Sequence, residues 1–474
     1  MEVVFERCAG IDVHKKSIAV CVRIVEGDRR PRRETRSFGT LTDELEALRE
    51  WLRSQGVTHV AMESTGVYWK PIFNVLEPVF TVILCNARHV KQVPGRKTDV
   101  TDCEWLAQLL ACGLLQASFV PDRELRDLRD LTRTRTKLVQ ERTRHANRLH
   151  KVLEDANVKL GSVAADVLGK SGRAMIRAII AGEEDADAIA ERALSRMRGK
   201  IPTLRRALRG AVTEHHRFML RFVLDQIEHL DRSIVELDER VALLTRPSVP
   251  AGDASAEALE PQDTAPLFPG DDDPEPPAPA PTPSAPSPGS SEPPPSPPQA
   301  SGPPANDAFH AALALLTTIP GISLRTAEVV LAEIGPDMSR FPTSGHLASW
   351  AGICPGNNES AGKRRSGATN KGNAWLRSGL VQAAWAAGRT KRTYFGAQFA
   401  RLARKRGKKR AVVAVGHSLL TVVHALLSAG RPYEELGADY FDRLNERRLA
   451  VYHQARLEAL GYEVRIAKAP TEAA

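Results

Sequence analysis

The chain has 474 residues, which is too long for one ordinary hydrophobic core and predicts two or three domains. Hydrophobic residues make up 42% and charged residues 26%, which is the usual balance of a soluble globular protein. The formal net charge is +9 and the pI is near 9.3, which points modestly to a nucleic-acid partner.

The cysteines and the apolar runs argue against a zinc or redox protein and against a membrane protein. The six cysteines are scattered and contain no C-x-x-C pair, so they do not indicate a zinc or redox site. We expect them to be small buried residues in a reducing compartment. No apolar run reaches about 18 residues, and the N-terminus lacks a charged-then-apolar leader, so a cytoplasmic protein without a membrane segment is expected.

Short apolar strands and helical patterns alternate through residues 1–121. In chain order the patterns predict strands at 10–14, 17–25 and 34–39, a helix at 41–54, a strand at 58–62, a helix at 68–76, a strand at 80–84 and a helix at 99–110. The order βββαβαβα is that of the ribonuclease-H-like fold. We therefore expect an α/β domain of that class.

Residues 122–245 carry almost no strand pattern and are rich in Leu, Arg and Glu. Apolar residues recur every three or four positions through residues 218–244. This spacing predicts a long helical, partly coiled-coil domain, which would suit a dimerisation arm. An ordinary helical bundle within one chain is the alternative, and the sequence leaves it open.

Residues 246–308 differ in kind, because they hold most of the chain's 32 prolines together with Ser, Ala and a short acidic run. Such a segment cannot bury enough apolar surface to offset the entropy cost of ordering, so we predict a disordered, extended linker. Helical patterns return in residues 309–474, where a mainly helical C-terminal domain is expected.

Four carboxylates of the first domain stand where a metal site would need them. Asp12 lies within an apolar strand, where a carboxylate needs a partner, commonly a cation. Glu63 follows a buried strand, and Asp99 and Asp102 are three apart at the start of a predicted helix, on one face. Four such ligands can hold two Mg²⁺ ions about 3.5–4 Å apart for phosphodiester cleavage. Taken singly, each acid also has a structural explanation, such as capping a helix.

A glycine-containing turn opens the C-terminal domain. Residues 318–323 lead into the apolar helical pattern at 326–334, which resembles a helix-hairpin-helix element. Gly321 in that turn would present backbone N–H groups to a phosphate without reading base sequence. Ser323 replaces the usual second glycine of such a hairpin, and a plain pair of helices is the alternative.

Ser360 lies among small, turn-forming residues, and three cations follow it after two small residues. Residues 360–433 contain sixteen Lys or Arg and no Asp or Glu, which indicates a surface that faces a polyanion. Cations that neutralise a phosphate and stabilise a pentacoordinate transition state would help a serine hydroxyl to attack it. The residues alone show only one hydroxyl in a basic loop. The cations expected to contact nucleic acid are Lys363, Arg364, Arg365, Lys371 and Arg377.

In combination these motifs resemble the DEDD-type insertion-sequence transposases, also called bridge-RNA-guided recombinases. The matching segments are 10–15, 62–66, 97–102 and 355–377, and the resemblance covers nearly the whole chain except the linker. It implies a RuvC-like first domain whose acidic tetrad binds Mg²⁺, and a catalytic serine in the second domain. Matched motif to motif, these residues are Asp12, Glu63, Asp99, Asp102 and Ser360.

The resemblance further implies a composite active site that cuts and joins DNA. The serine would link covalently to an element end while the tetrad of another protomer assists, within a dimer or tetramer that a structured guide RNA directs to the target DNA. Two other hypotheses stay open. One is a structure-selective, metal-dependent nuclease of the Holliday-junction type that uses water, and the other is a non-catalytic nucleic-acid-binding remnant. The long linker departs from the family pattern.

Overall fold

The computed structural model describes residues 3–27, 30–64, 66–86, 90, 101–246, 305–354, 358–360, 363–366, 369, 371–444 and 446–466. They divide into two compact units, Met1–Asp122 and Arg123–Ala474. Of the predicted linker at 246–308, all but its first residue and its last four lie outside the described residues.

The first unit is built on one mixed five-stranded sheet. Its strands are β1 (Arg7–Val13), β2 (Ile18–Ile24), β3 (Arg32–Phe38), β4 (His59–Glu63) and β5 (Thr81–Cys85). They stand in the order β3-β2-β1-β4-β5. The hairpin pairs β1–β2 and β2–β3 are antiparallel, whereas β1–β4 and β4–β5 are parallel. The α/β character that the alternating patterns predicted for this unit is therefore confirmed.

Helices cover both faces of this sheet. They are α1 (Thr42–Ser54), α2 (Trp69–Leu76) and α3 (Asp102–Ala111). On one face, alternate β1 residues such as Ile11 pack into a core with Leu48 of α1 and Leu76 of α2. On the other face, Cys8 of β1 packs with Leu110 of α3. Because both faces are buried, the central strands read as nearly continuous apolar runs.

The second unit is almost entirely helical, as the sequence predicted. Its helices before the proline-rich stretch are α4 (Arg123–Asp155), α5 (Leu160–Val163), α6 (Lys170–Ile180), α7 (Ala186–Ala190), α8 (Ile201–Ala207) and α9 (Glu214–Leu244). A 3-10 helix spans Ser195–Lys200. The later helices are α10 (Ala305–Thr317), α11 (Leu324–Ile334), α12 (Ser344–Trp350), α13 (Ala374–Arg389), α14 (Tyr394–Arg406), α15 (Lys408–Ala429), α16 (Tyr440–Leu444) and α17 (Glu446–Glu458). Two short strands, β6 (Asn358–Ser360) and β7 (Lys363–Ser366), form a hairpin.

The two long helices α4 and α9 pack along each other in opposite directions within the chain. Their ion pairs run in reverse order, with Arg135 joined to Asp238 and Arg142 joined to Asp231. The first half of the apolar stripe of α9, around Leu224, is buried in a core shared with α5–α8. That half of the stripe therefore packs inside the chain, which is the bundle alternative that the sequence left open.

One helix, α15, departs from the expectation that no apolar run is long enough to span a membrane. Among the residues that the structure describes, it alone passes that test of length and composition. Its apolar residues, including Val415 and Leu419, are buried against neighbouring helices. Core packing accounts for this composition, because a helix surrounded by other helices is apolar on most of its faces.

Candidate functional site

Asp12 and Glu63 occupy neighbouring positions at the carboxyl ends of β1 and β4. The two strands are parallel, and Ile11 pairs with Met62, so the next residue of each strand stands side by side. Ile11 and Met62 are fully buried on the α1–α2 face. Because successive side chains point to opposite faces, Asp12 and Glu63 belong to the face that α3 covers. The Asp12 side chain is 23% exposed there.

Gly10 sets how closely α3 approaches that face. A Cβ atom at this position would lie 2.2 Å from the carbonyl oxygen of Cys103 and 2.4 Å from the amide nitrogen of Ala107. No side chain fits at such distances, so α3 rests directly on the β1 backbone. Gly10 and Asp12 are two residues apart and share a face. The glycine thereby brings the first turn of α3 beside the Asp12 position.

The helix α3 begins at Asp102, whereas the sequence pattern predicted a start at Asp99. Thr101 is its N-cap, in extended conformation, and the Thr101 backbone N–H donates to the Glu104 carboxylate at 3.4 Å. This is half of a capping box, which fixes the helix start locally. The expectation that Asp99 and Asp102 share one helix face therefore does not apply to the described helix, and Asp99 itself lies outside the described residues.

Buried thiols report the electrostatic surroundings of these acids. Burial raises the pKa of the Cys103 thiol, and the charge of Asp12 raises it further. Burial likewise raises the pKa of Cys85 to about 12, with the charge of Glu63 adding to the effect. His14 Nε2 also lies 3.3 Å from Asp12 Oδ2 at the strand end. Asp12 and Glu63 each therefore add negative charge beside a buried thiol of the α3 face.

The donor set at this edge fits a hard divalent cation. Asp12 and Glu63 bring two carboxylates to neighbouring strand positions, and Asp102 begins the helix beside them. Carboxylate oxygens are the ligands that Mg²⁺ and related ions prefer. Within the described ranges, no three His, Cys, Asp or Glu side chains lie close enough together to form a complete site. The fourth predicted ligand, Asp99, lies outside the described residues, so these ranges hold only three of the four residues.

Ser360 ends the strand β6, at the turn of a short hairpin. Its Cα is paired with Lys363, the first residue of β7, and Glu359 is paired with Arg364. The segment that the sequence presented as a basic loop thus contains a strand pair. The backbone pairing brings the serine position opposite the first cation of the basic run.

The segment that carries Ser360 is closed at its base by two glycines. A Cβ on Gly372 would lie 2.2 Å from the amide nitrogen of Gly352, so the two backbones touch. Gly352 itself has φ of +67°, which favours glycine. Directly afterwards Asn373 caps α13, its side chain accepting from the amides of Trp375 and Leu376 at 3.0 Å. The base of the segment is therefore held by packing and by a helix cap.

The remaining predicted contact residues occupy different settings. Lys371 is exposed just before the α13 cap, and Arg377 is half-buried in the first turns of α13. Gly321 has φ of +90°, and a Cβ there would lie 2.5 Å from the amide nitrogen of Ala387. Helix packing against α13 thus accounts for the glycine. Ser323, in place of the second glycine, caps α11 by accepting from the amide of Thr326 at 3.3 Å.

Sequence reasoning missed a buried carboxylate that lies next to this segment. Glu333 is fully buried at the end of α11, and its carboxylate accepts from Asn373 Nδ2 at 2.6 Å. It also accepts two hydrogen bonds from Arg133 of α4, at 2.7 and 2.8 Å. Two acids inside the apolar pattern 326–334, Glu328 and Glu333, were the available signal, because buried carboxylates need partners.

Comparison with known proteins locates both units within one group of sequences. A family model described as a transposase, of the DEDD and IS110 type, matches residues 9–158. A second model, described as the transposase IS116/IS110/IS902 family, matches residues 313–400. The first range holds all four predicted carboxylates and the second holds Ser360 and its basic run. Together they take in about half of the chain.

Individual relatives agree with these matches. The chain is 36% identical over 132 residues to an uncharacterized 43.6 kDa protein of insertion element IS110 from Streptomyces coelicolor, covering 26% of this chain and 31% of that protein. It is 33% identical over 124 residues to the pilin gene-inverting proteins of Moraxella bovis and Moraxella lacunata, covering 26% of this chain and 38% of each. The chain thus spans about a third of the length of these relatives. By its two family matches, the chain belongs to the IS110 family of DEDD transposases.

Proposed function

We propose that this protein is a DNA transposase and recombinase that cuts and rejoins DNA with a divalent-metal site and a serine nucleophile. The observation that carries the proposal is that Asp12 and Glu63 occupy neighbouring positions at the carboxyl edge of the first sheet. Asp12 is the last but one residue of β1, Glu63 is the last residue of the adjacent parallel strand β4, and Asp102 begins the helix that Gly10 admits against β1. Asp99 is proposed as the fourth acid.

The strand arrangement supports a ribonuclease-H-like, RuvC-like first domain. Three antiparallel strands come first, β1 is central, and β4 and β5 then add in parallel on its far side. In such sheets, ligands bind beyond the carboxyl ends of the parallel strands. Asp12 and Glu63 stand at that edge.

The DEDD family points to a divalent-metal requirement, and we propose Mg²⁺ as the ion. Asp12, Glu63, Asp99 and Asp102 would hold it. When bound, the ion supplies positive charge to the reacting phosphate and to the oxygen that leaves. The task of the carboxylates is to fix that charge at the edge of the sheet. The task of Gly10 is to keep the first turn of α3 close enough for Asp102 to take part.

Ser360 is proposed as the attacking group. Its hydroxyl loses a proton, Oγ bonds to phosphorus, and the phosphodiester bond to the leaving oxygen breaks while that oxygen takes up a proton. A DNA hydroxyl then loses its proton, its oxygen bonds to the same phosphorus, the Oγ–phosphorus bond breaks, and Oγ takes up a proton. One phosphodiester bond thus replaces another without hydrolysis. Lys363, Arg364 and Arg365, directly after the hairpin turn, are proposed to neutralise the phosphate. Lys371, Arg377 and Gly321 are proposed to hold the flanking backbone.

The relatives favour recombination over hydrolysis. Two of them are named for inverting a pilin gene, a reaction that rejoins what it cuts. A water-using, structure-selective nuclease would need the same carboxylates but no serine adduct. The proposed partners are element-end and target DNA, a structured guide RNA, and further copies of the chain in a dimer or tetramer. A cytoplasmic location accords with the family.

The metal arm of the proposal is tested by an Asp12→Asn variant. Cleavage of element-end DNA in Mg²⁺ is expected to fall to background, because a charged ligand becomes neutral. Asp43→Asn is the matched control, since Asp43 is an exposed acid in the first turn of α1. Equal cleavage by Asp12→Asn and Asp43→Asn would refute a catalytic metal at this sheet edge.

A further inference from the structure

A groove of about 350 Å³ lies between three helices of the second unit. Its walls are a ten-residue stripe of α4, the first turns of α11 and the first half of α13. None of the candidate site residues named above is among the described residues that line it. A volume of this size is at the lower end of the range for small-molecule sites and suits a group of nucleoside size.

The lining of the groove is cationic. Arg135, Arg144 and Arg325 line it, and no carboxylate does so among the described residues. Arg325 is 3.3 Å from Asp238 and 3.1 Å from Glu328, and Arg135 is also paired with Asp238, so these two guanidinium groups share two carboxylates. Arg144 is exposed and has no ion pair within the described part of the chain. Its charge is therefore available to an anion from solvent.

Two amide side chains face the groove from opposite walls. Gln140 belongs to α4 and Gln382 to α13; both are exposed, and neither makes a hydrogen bond within the described residues. Ser378, one turn before Gln382, also lines the groove without such a bond. The amides each offer a donor and an acceptor, the combination that pairs with the edge of a nucleobase.

An aromatic side chain completes the lining. Trp375 borders the groove, with the Arg133 guanidinium and the Lys137 ammonium each 5.8 Å from its ring centroid. These contacts hold the indole in place. Val139 and Val329 add apolar surface beside it. Indole and valine surfaces are suited to the flat face of a base, which stacks without regard to its identity.

We propose that this groove binds one unpaired nucleotide of a single-stranded nucleic acid. The base lies against Trp375, Gln140 and Gln382 contact its edge, and Arg144 contacts the adjoining phosphate. A base within a duplex has its pairing edge occupied and cannot enter. The choice of a nucleic-acid ligand rests on the proposed function. RNA and DNA single strands share this chemistry, and the test distinguishes them.

The test is binding of fluorescein-labelled oligonucleotides of about 15 nucleotides, followed by anisotropy in EDTA. The probes are a single-stranded RNA, a single-stranded DNA of the same sequence and the corresponding DNA duplex. Arg144→Glu and Gln382→Ala are each expected to weaken binding of the preferred single strand by about tenfold. Whichever of the two single strands binds more tightly to the unaltered protein identifies the ligand as RNA or as DNA.

Arg148→Glu is the matched control, because Arg148 is exposed on α4 one turn beyond Arg144 and does not line the groove. It is expected to weaken binding by about twofold, through long-range charge alone. Equal losses from Arg144→Glu and Arg148→Glu, or losses confined to the duplex, would overturn the proposal. Since EDTA suppresses metal-dependent chemistry, a binding result stands whether or not the protein cuts DNA.

Discussion

The carboxylate of Glu333 and the guanidinium of Arg133 form a two-pronged ion pair, with nitrogen-to-oxygen distances of 2.7 and 2.8 Å. Arg133 belongs to α4, before the proline-rich stretch, and Glu333 belongs to α11, after it. The Glu333 side chain is only 1% exposed, and it also accepts from Asn373, the cap of α13. One buried carboxylate thus links the long helix of the first matched family range to the end of the serine-bearing segment.

Replacing Glu333 should destabilise the second unit strongly. In Glu333→Ala, Arg133 and Asn373 lose a buried acceptor, and the free energy of unfolding should fall by about 3–5 kcal/mol. Arg133→Lys keeps the charge but loses the paired geometry, so it should cost less. Urea unfolding measures both. Glu239→Ala, at an exposed position of α9, should change stability by less than about 0.5 kcal/mol, and a Glu333→Ala effect that small would contradict the account.

Gly10→Ala tests whether α3 depends on direct contact with β1. The added methyl group would lie 2.2 Å from the Cys103 carbonyl oxygen, so helix or strand must move. We expect a loss of about 1–3 kcal/mol in stability of the first unit, together with weaker DNA cleavage. Gly199→Ala is the control, because a Cβ there meets nothing within 4 Å. Unchanged stability in Gly10→Ala would show that the close approach is not required.

Thiol labelling tests the burial of the sheet cysteines. Burial raises the pKa of Cys8 to about 12 and of Cys21 to about 11, so at about pH 8 both are almost wholly protonated. The thiolate is the reactive form, and its fraction rises about tenfold per pH unit below the pKa. Because Cys112 is only half-buried whereas Cys8 and Cys21 are buried, iodoacetamide should modify Cys112 before Cys8 and Cys21 in the native protein. Labelling of Cys8 as fast as Cys112, read by mass spectrometry, would contradict the packing of this sheet.

The salt dependence of DNA binding tests the basic hairpin. Changing Arg364 and Arg365 together to Gln should reduce the slope of log affinity against log salt by about 2, since two phosphate contacts are lost. The matched control changes Arg447 and Arg448, an exposed adjacent pair in α17, to Gln. An equal reduction in both double variants would mean that only net charge matters, and not phosphate contact by the hairpin.

Much of the first unit follows from local patterns. The alternation of apolar residues placed all five strands within three residues of their observed starts, because buried strands and their bounding turns leave a strong signal. The start of α3 did not follow, since the Thr101–Glu104 cap competes with the helical pattern that includes Asp99. The contact of Gly10 with Cys103 could not be predicted from local sequence either, because it depends on the approach of a helix more than ninety residues away.

The second unit shows where sequence reasoning stops. Helices were evident from spacing, but the partners of Glu333 lie 200 residues away in α4 and 40 residues away before α13. Local spacing carries no information on such pairings. The same holds for the groove, whose Gln140 and Gln382 read from sequence as ordinary surface residues. Ser360, in contrast, was found by its motif, and its role stays a prediction.

A trapping assay for a covalent protein–DNA adduct tests directly whether Ser360 is the nucleophile. Purified protein, Mg²⁺, the RNA that flanks the element and labelled element-end DNA are combined and separated on a denaturing gel, with Ser360→Ala in parallel. We expect an adduct in the unaltered protein that is absent from Ser360→Ala. Cleaved DNA without an adduct in either sample would contradict this expectation, and would assign the chemistry to a water-using nuclease.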